Sequence, residues 1–172
     1  NDKGNTGLTP SFDTLSHDGS NDQFFAMHFD GVDDYVDAGD KFSLNGQSFS
    51  FSVWSRRDTI GDEDPVFSKG SGAADSGLYA GYHADNTFTF GFDSSDNGLN
   101  SLLPYYDANE WHHWVGTYDA STNDRILYRD GQLVVQDIAP DDFTGEGPLF
   151  VGKDIPSDYY FDGAIDEMKI YS

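Results

Sequence analysis

Beyond residue 23 the chain is written in short runs whose apolar and polar positions alternate, separated by turns rich in Asp and Gly. Residues 48–57 (SFSFSVWSRR) show the pattern most plainly. Phe49, Phe51 and Val53 fall on one side, and Ser50, Ser52, Trp54 and Arg56 on the other. A period of two marks a half-buried strand, because successive side chains leave a pleated backbone on opposite faces. Residues 87–92 repeat it, with Phe88, Phe90 and Phe92 against Thr87, Thr89 and Gly91. The same reading predicts strands over 24–29, 34–38, 48–57, 65–69, 78–83, 87–92, 111–118, 125–129, 132–136, 148–152 and 164–171. Asp130-Gly131, between two such runs, is a strong hairpin signal. No segment holds a 3.6-residue period for three turns, since Gly and Asp interrupt every candidate. About a dozen strands at this spacing predict an all-β protein: a two-sheet antiparallel β-sandwich or jelly roll. Residues 1–23 are polar and turn-rich and read as an irregular lead-in packing on a single domain that spans 1–172.

Composition sharpens this picture. The 172 residues include 14 Phe, 10 Tyr and 3 Trp, which a disordered chain lacks. Acids outnumber bases 31 to 9, for a formal charge of −22. So few scattered cations make no basic patch, which disfavours nucleic acid and anionic membrane surfaces as partners. No apolar run approaches the roughly 20 residues of a membrane-spanning helix, so membrane insertion is not expected. There is no cysteine, hence no disulfide, thiolate metal site or cysteine nucleophile. Of the 31 acids, 27 are Asp and only Glu63, Glu110, Glu146 and Glu167 are Glu. Asp is a poor helix former, a good turn former and the short loop ligand that calcium prefers. The skew therefore fits Asp-lined turns and raises Ca²⁺ as a cofactor, while an acidic surface also serves solubility in salt. The chain begins at Asn1 without an initiator methionine, which points to a piece of a larger protein with neighbouring domains.

Seven segments, in order, carry a resemblance: MHFDGVDDYVDAG (27–39), SFSFSVW (48–54), VFSKG (66–70), EWHHWVGTYD (110–119), LYRDGQLV (127–134), PLFVGKD (148–154) and FDGAIDEMKIYS (161–172). Together they resemble the laminin-G-like jelly-roll domains of the concanavalin A-like lectin/glucanase superfamily. The resemblance implies two curved antiparallel sheets with the first and last strands adjacent, an extracellular setting, glycan or protein recognition, and frequently a structural Ca²⁺. Two positions depart from the family pattern. Ser55 replaces an aliphatic residue and is expected to leave its strand end solvated; Trp114 replaces a common Val and adds core bulk.

The turn Asp30-Gly31-Val32-Asp33-Asp34 places three carboxylates within five residues. A cation would relieve their repulsion. Taken with the closing strand that the resemblance brings alongside, this yields one expected Ca²⁺ bound by Asp30 or Asp33/Asp34, the Gly31 carbonyl and Asp166. The competing reading is that these Asp residues only cap the turn through Asx hydrogen bonds. A second acidic group, Asp58, Asp62, Glu63 and Asp64, reads as a solvated loop, and so do Asp93, Asp96, Asp141 and Asp142. His112 and His113 are adjacent on a strand and face opposite ways, so a shared zinc is not expected.

Sugar recognition needs flat aromatic faces beside polar groups. Trp54, Tyr79 and His83 lie opposite the Phe stripes, with Ser52, Gly81, Thr89 and Gly91 leaving room beside them; Tyr105, Tyr106, Tyr159 and Tyr160 are loop alternatives. Against these stands the frequency with which Trp in a sandwich is core. The paired-carboxylate strand of related glycanases, Glu-x-Asp-x-x-Glu, is missing, and Asp166 and Glu167 are adjacent and so face opposite sides. The sequence reads as a calcium-associated carbohydrate-binding module of a secreted or surface protein such as a bacterial adhesin, monomeric as an isolated domain, whose partner is a glycan or other cell-surface ligand. The alternatives are a protein-binding or spacer module and, third, a divergent glycanase.

Overall fold

The computed structural model describes residues 11–15, 24–71, 76–92, 98–155 and 157–172. Every element among them is a strand: β1 (Ser11–Leu15), β2 (Phe24–Asp30), β3 (Val36–Gly39), β4 (Phe49–Arg57), β5 (Asp64–Gly70), β6 (Gly77–Tyr82), β7 (Phe88–Phe92), β8 (Gly98–Asn100), β9 (His112–Asp119), β10 (Asp124–Arg129), β11 (Gln132–Ile138), β12 (Leu149–Val151) and β13 (Asp162–Tyr171). They form two antiparallel sheets, a seven-stranded one in the order β1-β2-β13-β4-β9-β10-β11 and a six-stranded one in the order β3-β12-β5-β6-β7-β8. This is the expected all-β jelly-roll sandwich. The closing strand β13 lies between β2 and β4, so the two ends of the domain are stitched together.

The predicted stripes meet across the sheets. Phe49, Phe51 and Val53 of β4 and Phe88, Phe90 and Phe92 of β7 are all at most 5% exposed. Phe51 stands edge-on to Phe67 at 5.0 Å and to Phe90 at 5.2 Å. Trp114 stacks flat on Phe88 at 3.8 Å and donates its indole N–H to the Tyr82 hydroxyl at 2.9 Å. Each aromatic pair adds roughly 0.5–1.5 kcal/mol beyond the area it buries. The bulk expected of Trp114 is therefore well packed and its polar atom satisfied. The hairpin at Asp130-Gly131 has φ of 51° and 75°, the two positive angles a type I′ turn requires.

Two expectations are corrected. The lead-in is not wholly irregular, because Ser11–Leu15 pairs along the edge of β2; five residues among Gly, Asn and Asp carry too short a pattern to stand out. Ser55 is not solvated but fully buried, because Arg57 beyond it is also buried and lays its guanidinium over the Tyr82 ring at 3.9 Å. The core continues past Ser55 in polar form. Asp93 and Asp96 lie outside the described residues.

Candidate functional site

β2 ends at Asp30 and β13 begins at Asp162, and the register sets these two acids opposite one another. Glycine makes this junction possible at two points. Gly31 has φ +72°, and a Cβ there would sit 2.9 Å from the Asp162 Cβ. Gly163 has φ +146°, and a Cβ there would lie 2.1 Å from the Arg56 carbonyl oxygen. The Gly31 amide donates to the Phe161 carbonyl at 3.0 Å and closes the corner.

Asp64, the first residue of β5, comes in beside this corner. Its Oδ1 accepts the Asp162 amide at 3.2 Å, while the Asp162 Oδ2 accepts the Thr59 hydroxyl at 2.7 Å. Around them opens a cleft of about 370 Å³ lined by Asp30, Gly31, Asp62, Glu63, Asp64, Ala84, Asp158, Tyr159, Tyr160 and Asp162. Asp64 is 1% exposed, and its Oδ2 has no hydrogen-bond partner among the described residues. Burial pushes its carboxyl up to about 7, and neighbouring Asp162 and Asp62 add to the rise; the Asp162 amide and the Arg57 charge oppose it. A buried acceptor without a donor is costly. A divalent cation would supply what the oxygen lacks, and the carboxylates lining the cleft are of the donor type that a hard, oxygen-seeking ion takes.

Of the ligands expected from the sequence, the structure brings three together and leaves one apart. Asp30, Asp33 and Asp34 do cluster, with carboxylate oxygens all within 4.8 Å of one another. Burial and the Asp30 charge raise the Asp34 carboxyl. Asp30 also caps its own turn, its Oδ1 accepting the Val32 amide at 2.9 Å and the Asp33 amide at 3.3 Å. Asp166 does not join them. It pairs with Trp54, four positions along β13 from Asp162, roughly 13 Å at strand rise, and its Oδ1 accepts the Glu167 amide. The closing-strand acid at the turn is Asp162. Nor is the second acidic group a solvated loop. Asp58 binds His28 at 2.8 Å and Arg56 at 3.1 Å, Glu63 binds His83 at 2.9 Å, and Asp64 is interior.

The aromatic candidates do not form one site. Trp54 lies on the outer face of the seven-stranded sheet, tilted against His113 at 5.0 Å; Tyr79 lies on the outer face of the six-stranded sheet, stacked on His83 at 5.9 Å. Burial holds the Tyr79 phenol protonated well above its usual range, and its hydroxyl donates to the Tyr82 carbonyl at 3.3 Å. Tyr105 is pinned under Arg129, whose guanidinium lies 4.1 Å from its ring, and edge-on to Trp114 at 5.4 Å. Tyr106 is 69% exposed.

A ring cluster that alternation alone does not reveal sits beside the cleft. Tyr35, Phe150 and Tyr160 surround the Lys153 ammonium, with ring centroids 4.8, 5.9 and 5.3 Å from Nζ. Phe150 faces outward on β12 between two core residues, Leu149 and Val151. Only the Tyr160 part of it was signalled in the sequence, as the Tyr159-Tyr160 pair.

Solved structures share this architecture. The carbohydrate-binding module CBM40 of the Ruminococcus gnavus IT-sialidase, bound to α2,3 sialyllactose, superposes with a TM-score of 0.66 at 12% identity over 85% of this chain and 90% of that one. Domain 4 of the extracellular arabinanase AbnA of Geobacillus stearothermophilus, in complex with arabinotriose, gives 0.59 at 20% identity, covering 84% and 81%. Domains LG4-5 of the mouse laminin α1 chain give 0.62 at 13% identity, covering 84% of this chain, which spans 40% of that structure. At these identities the likeness is one of fold. No curated protein matches the chain in sequence. The family model, however, runs through nearly every strand just described: residues 30–172 match Laminin_G_3, so the chain belongs to this laminin-G-like family of the concanavalin A-like lectin/glucanases superfamily.

Proposed function

We propose that this chain is a carbohydrate-binding module of an extracellular protein, steadied by Ca²⁺ held in the acidic cleft. The observation that carries the reading is the orphaned Oδ2 of buried Asp64 among the carboxylates of Asp30 and Asp162. Those three acids and the Gly31 carbonyl are the ligands we assign to the ion; among the described residues only the carboxylates of Asp30, Asp33 and Asp34 already lie within 4.8 Å of one another, so binding would draw Asp64 and Asp162 in toward Asp30. The ion would supply charge neutralisation where β2, β5 and β13 converge, so its consequence is a fixed corner. Tyr159 and Tyr160 on the rim of the cleft offer aromatic surface to a sugar. The sialyllactose and arabinotriose bound by two structural neighbours support a glycan as ligand. We read the module as binding rather than hydrolytic, since the sequence lacks the paired-carboxylate strand, Glu-x-Asp-x-x-Glu, of the related glycanases. The setting we favour is an adhesin or a glycan-degrading enzyme of which this is one domain.

A second reading has its own observation. Leu102, Leu103 and Tyr106 are 78%, 71% and 69% exposed on one loop, an apolar tip suited to a protein partner. A glycan array probed with the domain in Ca²⁺ and in EDTA separates the two. Saturable binding to one sugar class, weakened in EDTA, is the expected result; no binding to any sugar in either buffer overturns the carbohydrate reading and leaves the protein-binding one.

A further inference from the structure

We propose that Tyr35, Phe150, Tyr160 and Lys153, on the outer face of the six-stranded sheet, form the sugar-binding subsite, and that it takes a neutral glycan. This rests on the carbohydrate-binding reading above and gives it a place and a ligand class.

The three rings do not cover one another's faces. Tyr35 meets Phe150 edge-on, at 5.6 Å and 77°, and is tilted 43° from Tyr160 at 6.3 Å. None is stacked flat on another, in contrast to Phe88 on Trp114 in the core. Tyr35 is 37% exposed. Ring faces beside polar donors are what the apolar C–H face and hydroxyl rim of a sugar require.

Lys153 supplies the donors. In a chain of 31 acids and 9 bases, Arg56, Arg57, Arg125, Arg129 and Lys169 each hold a carboxylate. The Lys153 ammonium, among the described residues, meets only the three ring faces and forms no ion pair. Its N–H groups remain for the oxygens of a ligand. The group is also held in place before anything binds: the Lys153 carbonyl accepts the Ser68 hydroxyl at 2.7 Å, and Lys153 pairs with Tyr160 across the strand ends.

The surrounding charge selects against an anion. Tyr160 is shared with the cleft that carries Asp30, Asp62, Glu63, Asp158 and Asp162. The charges of Asp154, Glu63 and Asp64 reach Tyr79 on the same outer face. The five acids of that lining outnumber one ammonium and remain in excess even after a divalent ion is counted, so a sugar carboxylate meets net repulsion. A neutral sugar keeps the stacking and the Lys153 hydrogen bonds without that penalty.

The test is the glycan array followed by calorimetric titration, in Ca²⁺, of the best neutral oligosaccharide and its sialylated counterpart into wild type, Tyr35→Ala, Tyr35→Phe and Lys153→Met. Tyr35→Ala and Lys153→Met are expected to weaken neutral binding by about tenfold each, while Tyr35→Phe, which keeps the ring, binds nearly as wild type. The melting midpoint in Ca²⁺ reports whether each variant is folded, and only folded variants are compared. If wild type binds sugars and both Tyr35→Ala and Lys153→Met bind equally well, the subsite is wrong and the carbohydrate reading stands. Tighter binding of the sialylated ligand overturns the neutral assignment. A wild type silent on every sugar removes the reading beneath both.

Discussion

Two carboxylates near Arg57 receive opposite treatment. Asp107 is met by three basic groups: the Arg57 guanidinium at 3.7 Å, the Arg129 guanidinium in a close ion pair, and the His112 Nε2 at 3.3 Å. Asp64 is more deeply buried, yet it has one backbone amide and an oxygen with no partner. Arg57 is turned toward the first and leaves the Asp64 Oδ2 without a hydrogen bond. Its two terminal nitrogens already donate to the Asn86 side chain at 3.1 Å and the Tyr105 carbonyl at 2.6 Å. With only 9 bases the chain spends its cations on the Asp107 knot, which ties the loop after β8 to β4, β9 and β10. The comparison teaches where the protein balances its own charge and where it leaves a buried carboxylate oxygen without a partner, the place of the ion we propose.

The largest effect is expected where the internal cations lose their acid. Asp107→Ala strands Arg57 and Arg129 in the interior and should cost about 3–5 kcal/mol, the usual result of breaking a buried pair from one side. Urea denaturation measures it. A loss below about 1 kcal/mol, the worth of a surface pair, would dissolve the contrast between the two acids. Next comes the ion itself. Ca²⁺ at a hundredfold excess over its dissociation constant adds about 2.7 kcal/mol, which for a domain of this size is about 5–10 °C in melting midpoint. In Asp64→Asn this gain should vanish, while the EDTA-treated variant melts above EDTA-treated wild type, because the neutral amide no longer carries the carboxylate's desolvation cost. An undiminished calcium shift in the variant would place the ion elsewhere.

The smallest effect tests an acid that neither cation nor ion serves. Hydrogen bonds from the Thr87 hydroxyl and amide hold the exposed Asp85 carboxyl below its usual value. A depressed folded-state value gives stability that is present above the unfolded value of 3.8 and is lost as pH falls through the folded one. Asp85→Asn should therefore change the midpoint slightly at pH 7 and flatten its acid slope below about pH 4. An acid slope equal to that of wild type would show that Asp85 contributes nothing there.

Much of the sandwich is legible in the residues. The Phe49-Phe51-Val53 and Phe88-Phe90-Phe92 stripes announce their strands and their inward faces, and Asp130-Gly131 announces its turn. The acidic turn at Asp30 is equally visible. Its partners are not. Asp162 and Asp166 sit on the same strand at even spacing, and alternation cannot say which of them meets Asp30; hydrogen-bond register does. Trp54 and Tyr79 both oppose Phe stripes, yet the stripes face each other across the core, so their opposites point away on the two outer surfaces. Asp64 belongs by sequence to an acidic loop, and it is buried because β5 is covered along its whole length.

The sequence by itself therefore determined the strands, their faces, the surplus of acid and the Asp30 turn, since each follows from local chemistry and a period of two. Tertiary structure alone decided that Asp64 and Asp162 converge on that turn and that Tyr35, Phe150 and Tyr160 gather around Lys153. Such meetings depend on strand order and register, which join residues up to about a hundred positions apart, and no local pattern carries that distance.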